Sequence, residues 1–334
     1  MKIFKVGGAV RDELLGLEPK DNDWLVVGSS IEEMLSLGYK QVGKDFPVFL
    51  HPETNEEYAL ARKELKSGHG YKNFDFIFTP DITIEEDLER RDLTINAIAR
   101  SSNGELIDPF NGQADIKNKI FRHVSEAFYE DPLRALRVAR FKSQMPEFQI
   151  HDSTQDVLRK IAESGELSHL SNDRVWGEVQ KSLNNKFEEF LYVIRSFQLT
   201  EPWFEELVEI PEIESDVPEI KWCYVSDVND FKFAKQLEVP NSFSRQLLMW
   251  KRFHGYKLEG NIEYKLDFFS AFSKNNLEES IFTLKYFKEI QIECIPIIKE
   301  YTNYNFGELL LDKNKDAQSV KMEVLKEIIK KYEK

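Results

Sequence analysis

Hydrophobic positions follow two different patterns along the 334-residue chain. Over roughly the first 125 residues, short apolar runs alternate with glycine, proline and charged residues, which favours short strands and helices. The expected strands are Ile3–Val6, Trp24–Val27, Pro47–Leu50, Glu57–Ala61 and Phe74–Phe78, and the expected helices are Ala9–Leu15 and Ser30–Ser36. Between two of these strands, Lys63–Asn73 has the composition of a mobile, basic loop.

From Ser125 onward, apolar residues recur at helical spacing. The expected helices are Pro132–Gln144, Thr154–Ile161, Asp173–Leu183 and Phe187–Phe197, followed less clearly by Arg245–Phe253, Tyr264–Phe272, Leu277–Phe287 and Val320–Tyr332. The pattern therefore predicts an α+β protein, with a small mixed β-sheet head (1–125) followed by an all-α neck (126–198) and an all-α body and tail (199–334).

The net charge of −14 argues against a protein that coats nucleic acid electrostatically, but the charge is unevenly distributed. Glu201–Glu219 holds eight acidic residues and no basic one, whereas Leu133–Lys142 holds four basic residues and no acidic one. The second segment is a local patch large enough to hold a phosphate-rich ligand.

No apolar run approaches the ~18 residues that span a bilayer, and the N-terminal residues do not resemble a signal peptide. We therefore expect a cytoplasmic protein without a membrane partner. Cys223 and Cys294 lie far apart without a CxxC pattern, so we expect reduced thiols in a core and neither a disulfide framework nor a structural zinc site.

Two short segments near the N-terminus carry candidate chemistry. Gly7 and Gly8 stand between an expected strand and an expected helix, where backbone N–H groups can approach an anion, and Arg11 adds further donors. Asp21 and Asp23 are two residues apart at the start of a strand, so both carboxylates can share divalent cations. Taken separately, each segment is also compatible with a plain or solvated turn.

These two segments are the first of six motifs that follow one another along the chain: GGAVRDELLG, DND, RRDLTINA, DPFNGQADI, EDPLRALRVARF and SNDRVWGE. Together they resemble the class II tRNA nucleotidyltransferases, the CCA-adding enzymes. Those enzymes share their head with bacterial poly(A) polymerases and belong to the DNA polymerase β-like nucleotidyltransferase superfamily. The resemblance covers residues 1 to about 185, and the remaining residues carry no motif that we identify.

The resemblance implies roles for residues in these motifs. Asp21 and Asp23 would be catalytic and hold two Mg²⁺ ions, and Gly8, Arg11 and Arg91 would bind the triphosphate. Arg137 and Arg140 would add charge to the nucleotide site or contact tRNA phosphates. A surface row of ion pairs is the alternative for these two arginines, although apolar residues interleave with them.

Asp131 and Arg134 are three residues apart and so share one helix face. Cytosine and adenine each present an amine donor beside a ring-nitrogen acceptor, whereas guanine and uracil present a carbonyl beside an N–H. A carboxylate and a guanidinium together could therefore select CTP and ATP. The alternative is that Glu130 and Asp131 only cap the helix, and the two roles can coexist.

Many long relatives append an HD-type metal phosphohydrolase domain, which needs several histidines around a metal. Only His254 of the six histidines lies beyond residue 200, so the resemblance implies a short form without that domain. The basic loop Arg62–Lys72 is retained, and in this family such a loop is associated with switching from CTP to ATP. Glu57, Glu64 and Asp92 remain open as a third catalytic carboxylate.

The implied reaction is addition of CCA to the 3′ acceptor end of tRNA from CTP and ATP, with release of pyrophosphate and no nucleic-acid template. By analogy the body and tail would grip the tRNA, and no protein partner is implied. The alternatives are a poly(A) polymerase-type enzyme and a non-catalytic RNA-binding protein on the same scaffold. Residues 319–334 carry a net charge of only +2, which disfavours the strongly basic tail usual in the former.

Overall fold

The computed structural model describes residues 1–42, 48–66, 74–306 and 316–332, without the side chains of 64–66 and 74–76. Contacts between residues divide the chain into two compact units. The first unit comprises Met1–Glu212 and Lys232–Glu238, and the second comprises Ile213–Phe231 and Val239–Lys334. The finer division into 1–125, 126–198 and 199–334 stays a prediction.

The first unit contains the strands of the described chain. They are β1 (Lys2–Val6), β2 (Asp23–Val27), β3 (Lys40–Val42), β4 (Val48–Leu50), β5 (Glu57–Leu60), β6 (Lys63–Lys66), β7 (Phe74–Ile77), β8 (Ala99–Ser101), β9 (Leu106–Ile107), β10 (Ile120–Phe121) and β11 (Gln149–Ile150). Seven of them form one sheet in the order β3-β4-β5-β2-β1-β8-β9. Only the β2–β5 pair in this sheet is parallel, so the sheet is mixed, as predicted.

Eight α-helices complete the first unit. They are α1 (Gly8–Leu14), α2 (Ile31–Ser36), α3 (Ile84–Glu89), α4 (Gly112–Asn118), α5 (Leu133–Gln144), α6 (Asp152–Ser164), α7 (Asn172–Leu183) and α8 (Phe187–Ser196). Local sequence explains where two of these helices begin. Thr83 and Glu86 form a capping box at the N-terminus of α3, and at the N-terminus of α2 the Ser30 hydroxyl accepts a hydrogen bond from the Glu33 N–H.

The central sheet has an apolar cluster on each face, because side chains alternate along a strand. Leu25 of β2 packs with Val6 and Leu88 on one face, and Val26 packs with Met34 and Phe49 on the other. The parity of β2 places the Asp23 side chain on the Leu25 face.

The second unit consists of helices in its described part. They are α9 (Pro218–Val228), α10 (Asn241–His254), α11 (Ile262–Ser270), α12 (Leu277–Leu284), α13 (Lys288–Asn303) and α14 (Ala317–Tyr332). Phe253, Phe269, Ile297 and Leu325 lie in its main core. The α+β architecture with helical regions after the head confirms the predicted fold class.

Cys223 and Cys294 are buried free thiols, and burial raises the pKa of both. Across the residues that the structure describes, no helix is long and apolar enough to cross a membrane.

The expected loop at Lys63–Asn73 is wrong for its first four residues. Lys63–Lys66 forms β6, which pairs antiparallel with β7. Its charged composition is typical of a loop, but the backbone makes the ladder, and the aromatic-rich Phe74–Ile77 segment is a good strand partner. Residues 67–73 of the expected loop lie outside the described residues.

Candidate active site

A cavity of about 720 Å³ opens in the first unit. Every site residue predicted from the sequence lines it: Gly8, Arg11, Asp21, Asp23, Arg91, Asp131, Arg134, Arg137 and Arg140. The fold therefore brings together residues that are up to 132 positions apart in the chain, from Gly8 to Arg140.

The glycine turn at the cavity is required by its geometry. Gly7 has φ of 72°, and a Cβ at this position would lie 2.9 Å from Nη1 of Arg91. At Gly8 a Cβ would make only an ordinary contact with Arg11. Glycine is therefore required at Gly7, one residue before the predicted site residue Gly8. The Gly7 backbone has a positive φ and lies against the Arg91 side chain.

Three carboxylates lie along one edge of the cavity. Asp23 begins β2 and is in register with Val6 of β1 and with Glu57, which begins the parallel strand β5. Asp21 precedes β2 by two residues. Of the open candidates for a further carboxylate, Glu57 and Asp92 both line the cavity, and the side chain of Glu64 lies outside the described residues. Asp92 pairs with Arg137, whereas Glu57 is in register with Asp23, so Glu57 is the candidate beside the aspartate pair.

The groups around Asp23 shift the pKa of its carboxyl in opposite directions. Partial burial between the cavity walls raises the pKa of the Asp23 carboxyl, and the nearby Asp21 charge raises it further. Arg91 and Arg137 act in the opposite direction. A site that raises the pKa of a carboxyl beside a second carboxylate is one in which added positive charge is favourable.

A hydrogen-bonded network connects the glycine turn to α5. Nη1 of Arg11 donates to Oδ1 of Asn96 at 2.8 Å, and Nδ2 of Asn96 donates to Oδ1 of Asp92 at 3.0 Å. Nε of Arg137 donates to Oδ2 of Asp92 at 2.7 Å. Burial alone would raise the pKa of Asp92, but Arg137, Asn96 and the Leu93 N–H hold it far below its usual range.

This network leaves part of Arg137 available. Its hydrogen bond to Asp92 uses Nε, and no residue of the described ranges accepts from its two Nη groups. The side chain is 36% exposed and lines the cavity. Asp92 therefore fixes the guanidinium while two donor groups can serve an anion in the cavity.

A second buried carboxylate, Asp87 of α3, holds two neighbouring arginines. Its oxygens accept from Nη2 of Arg90 at 2.6 Å and from Nη2 of Arg91 at 3.2 Å. Burial alone would raise the pKa of Asp87, but the two guanidinium groups outweigh it and lower the pKa. Sequence analysis did not single out Asp87, although an acidic residue three and four positions before paired arginines on a helix signals such a cluster.

Asp131 and Arg134 both reach the cavity, and each already has a partner in the protein. Oδ2 of Asp131 accepts from Nη2 of Arg174 at 2.9 Å, and Oδ1 accepts from the Leu133 N–H at 3.2 Å. Nη1 of Arg134 donates to the Ala127 carbonyl at 2.6 Å. Asp131 precedes α5 in extended backbone, so the prediction that it shares a helix face with Arg134 is wrong. Its carboxylate instead bonds to the first turn of α5 and to Arg174 of α7.

Arg140 is buried, as is Arg134, and its charge is paired within the protein. Its guanidinium is buried and donates to Glu178 of α7 and to Gln144, and it lies 3.9 Å from the Phe141 ring centroid. Burial lowers the pKa of Arg140 despite the Glu178 charge. Arg140 therefore lies in the cavity wall with its charge compensated, and its predicted role toward phosphate stays a prediction.

Sequence analysis did not name four basic residues that line the cavity as site residues: Arg62, Arg90, Arg174 and Lys181. Arg174 belongs to the SNDRVWGE motif, but its partner, Asp131, is 43 residues away. Only the packing of α7 beside α5 brings the two together, so local spacing gives no signal for the pair.

The sequence contains one His-Asp doublet, the pair that an HD-type phosphohydrolase uses, at His151-Asp152 where α6 begins. Nε2 of His151 lies 2.6 Å from Nη1 of Arg122, and Nδ1 lies 2.8 Å from the Ser153 hydroxyl. Both ring nitrogens are thus engaged within the protein. Over the described part of the chain, no group of three or more His, Cys, Asp or Glu residues is arranged to hold a metal ion.

Comparison with known proteins adds independent findings. Residues 3–122 match the family model of the poly(A) polymerase head domain. The chain belongs to the nucleotidyltransferase superfamily. The matched residues include the central sheet, both aspartates and Arg91, which places the carboxylate edge of the cavity in the nucleotidyltransferase head.

Solved structures cover nearly the whole chain. The CCA-adding enzyme of Bacillus stearothermophilus in complex with CTP is 23% identical, with 98% of this chain and 87% of that chain covered and a TM-score of 0.66. The apo form II of a CCA-adding enzyme is 22% identical, with 99% and 88% covered and a TM-score of 0.70.

A tRNA nucleotidyltransferase complexed with a primer tRNA and an incoming ATP analogue is 26% identical, with 99% and 93% covered and a TM-score of 0.53. The helical regions after the nucleotidyltransferase head therefore also follow the CCA-adding enzyme fold. The predicted superfamily and fold are confirmed.

Proposed function

We propose that this protein adds the 3′-terminal CCA sequence to tRNA, using CTP and ATP and releasing pyrophosphate. The observation that carries the proposal is the single cavity in which Asp21 and Asp23, arginines suited to phosphates, and the Asp131–Arg134 pair meet. Structures with this fold include a CCA-adding enzyme in complex with CTP and a tRNA nucleotidyltransferase with primer tRNA and an ATP analogue. We expect the reaction in the cytoplasm.

The triphosphate would lie against the glycine turn. Gly7 allows close approach of the backbone, and Arg11, Arg91 and Arg137 supply guanidinium donors that Asn96, Asp87 and Asp92 orient. Because these donors are fixed before the nucleotide arrives, little reorganisation is needed when charge develops on the phosphates.

Asp21 and Asp23 would hold Mg²⁺, and Glu57 is the neighbouring carboxylate best placed to assist. An all-oxygen carboxylate set suits this hard cation, which retains water or phosphate oxygens as further ligands. When bound, the cation lowers the pKa of the tRNA 3′-hydroxyl and neutralises charge on the transferring phosphate. The raised pKa of Asp23 is consistent with a carboxyl whose charged form a bound cation would stabilise.

Base selection would depend on Asp131 and Arg134. The carboxylate can accept from the exocyclic amine of cytosine or adenine, and the guanidinium can donate to the adjacent ring nitrogen. Guanine and uracil would leave buried polar groups unpaired at this position. Arg174 supports the selection by holding the Asp131 carboxylate in place.

A nucleotide-incorporation ladder tests the proposal. On tRNA that ends at the discriminator base, CTP alone should add two residues, and CTP with ATP should add three and then stop. Asp21→Ala and Asp23→Ala should abolish both additions and leave tRNA affinity within a few-fold. Glu53→Gln, at an exposed carboxylate that does not line the cavity, should behave as the wild type.

The same ladder separates the second candidate, a poly(A) polymerase, the class of enzyme named by the head-domain model that residues 3–122 match. A poly(A) polymerase would extend many RNA 3′ ends with long runs of A and would not require CTP. A non-catalytic RNA-binding protein would bind tRNA and add nothing. Either result would overturn the assignment as a CCA-adding enzyme.

A further inference from the structure

The second unit has a cavity of its own, of about 580 Å³. Three of its lining residues, Phe253, Tyr256 and Ile290, are buried core side chains. This volume falls within the range of about 300–1,000 Å³ that small-molecule sites occupy. None of its lining residues belongs to the candidate active site.

The wall of this cavity is aromatic and preformed. Tyr224, Tyr286 and Phe287 line it and are half-buried. Trp250 lies behind all three, with its ring centroid 5.0 Å from Tyr224, 5.9 Å from Tyr286 and 4.8 Å from Phe287. The Tyr286 hydroxyl is 3.1 Å from the Ser215 hydroxyl. The rings are therefore held before a ligand binds, which lowers the entropic cost of stacking.

The rim is charged, and two of its cations lack a counter-ion. Lys285 and Lys288 are exposed at the rim, and neither forms an ion pair with a carboxylate in the described part of the chain. Glu214 and Glu289 also line the rim, as does His254. Two uncompensated ammonium groups thus stand at the mouth of an aromatic pocket.

His254 is held in one orientation. Its Nδ1 lies 2.9 Å from Oδ1 of Asp227, whose Oδ2 accepts from Nε1 of Trp250 at 2.9 Å. Asp227 therefore connects the rim to the aromatic wall. With Nδ1 facing the carboxylate, Nε2 is the ring nitrogen left for an outside partner.

We propose that this cavity binds a nucleotide, with the base stacked on the aromatic wall and the phosphate between Lys285 and Lys288. Aromatic side chains stack with any base, and paired ammonium groups favour a phosphate. The rim carboxylates, Glu214 and Glu289, can accept from base amines or ribose hydroxyls. The ligand is either a free nucleotide or one nucleotide of an RNA chain, and the chemistry of recognition is the same.

Photo-crosslinking tests the proposal with two probes, 8-azidoadenosine 5′-monophosphate and tRNA that carries 4-thiouridine. Peptide mass spectrometry then locates each adduct, which separates this cavity from the active site. We expect an adduct in the peptide that contains Tyr286 and Phe287. AMP should compete with the free probe at least about tenfold better than adenosine, because adenosine has no phosphate for the lysines.

The variant Lys285→Ala/Lys288→Ala should reduce this adduct about tenfold or more. Lys299→Ala/Lys326→Ala removes two exposed lysines elsewhere in the same unit and should leave it unchanged. Circular dichroism checks that both variants fold. An adduct from the tRNA probe alone would assign the site to RNA, and one from free nucleotide alone would assign it to a small ligand; both support nucleotide binding.

Absence of any adduct in the second unit from both probes would overturn the proposal. So would an adduct that persists at full yield in Lys285→Ala/Lys288→Ala. The crosslink is also measured in the Asp23→Ala protein, in which transfer should be lost but this site retained. Failure of the proposed function and failure of this inference are therefore distinguishable.

Discussion

Asp23 and Glu57 begin adjacent parallel strands in register, so their side chains leave the sheet on the same face. A β2–β5 slip of one residue would turn one of them to the opposite face. The pairing is fixed by Leu25 and Val26, whose side chains are buried in clusters on opposite faces of the sheet.

Glu57→Gln should therefore lower kcat for CTP and ATP alike, by at least about tenfold, because it removes a carboxylate beside the proposed metal ligands. The KM for tRNA should stay unchanged. Single-turnover kinetics measure the effect, with Glu53→Gln as the matched control. Wild-type kcat in Glu57→Gln would exclude a role for this residue in the chemistry.

The base-reading proposal predicts a change in discrimination. Asp131→Asn or Arg134→Gln should reduce the kcat/KM preference for CTP over UTP by about ten- to a hundredfold, because hydrogen bonds to charged groups are lost. Arg174→Gln should reduce it in the same direction, since Asp131 loses its partner. Kinetics with all four nucleotides on tRNA lacking CCA measure the preference.

Arg159→Gln, on an exposed face of α6, is the control for these substitutions and should leave the preference unchanged. If the variants lose activity uniformly and retain the CTP-over-UTP ratio, Asp131 and Arg134 hold the helix or the phosphates and the base is recognised elsewhere.

At the scale of elements, Asp92 connects the turn at Thr94–Asn96 to α5 through one buried carboxylate. Because its pKa is lowered in the folded state, the carboxylate stabilises the fold above the ordinary aspartate pKa of about 4. This stabilisation is lost as pH falls through the range between that value and the lowered pKa.

Asp92→Asn should accordingly lower the free energy of unfolding by about 3 kcal/mol at pH 7, because Arg137 loses its counter-ion. The difference from the wild type should shrink steadily below about pH 4. Urea unfolding at a series of pH values provides the measurement. A difference that is independent of pH would show that the charge of Asp92 is not what stabilises the network.

The predicted basic loop Arg62–Lys72, of which Lys63–Lys66 is β6 and residues 67–72 lie outside the described residues, gives a prediction at the same scale. Deletion of Lys66–Lys72 should spare CTP addition and suppress ATP addition, because the family resemblance associates such a segment with the change of specificity. The incorporation ladder should then stop after CC. Equal loss of both additions, or no effect, would contradict the association.

Sequence patterns predicted what is local and missed what depends on packing. The Gly-Gly turn, the aspartate pair and the helix at Leu133–Gln144 each follow from a few adjacent residues. The strands β8 and β9 have only three and two residues, which is too few for the alternation of apolar and polar residues to be recognised in the sequence. The ion pair between Arg140 and Glu178 could not be predicted, because it depends on how α7 packs beside α5.

At the scale of the whole molecule, a short segment returns to the first unit between two parts of the second. Within Lys232–Glu238, the Phe233 ring stacks on Phe204 with 6.4 Å between centroids, and the Ala234 N–H donates to the Glu205 carbonyl. Asn172 exchanges two hydrogen bonds with the backbone of Glu238. The first unit is thus completed by residues from beyond its own main stretch.

Phe233→Ala should destabilise the first unit by about 3–4 kcal/mol, because it leaves a cavity beside Phe204. Hydrogen exchange should accelerate in α7 and α8 and remain unchanged in α13 and α14, which belong to the second unit. Lys235→Ala, at an exposed neighbour, is the control. Equal acceleration in all four helices would mean that the chain unfolds as a single cooperative body.

Most arginines of the cavity already have a carboxylate within the protein. The pairs are Arg11–Asp12, Arg91–Asp87, Arg137–Asp92, Arg140–Glu178 and Arg174–Asp131. A guanidinium that keeps an internal counter-ion gains less from a phosphate than an unpaired one. Pyrophosphate should therefore leave the site readily, so that product release need not slow successive additions to the same tRNA.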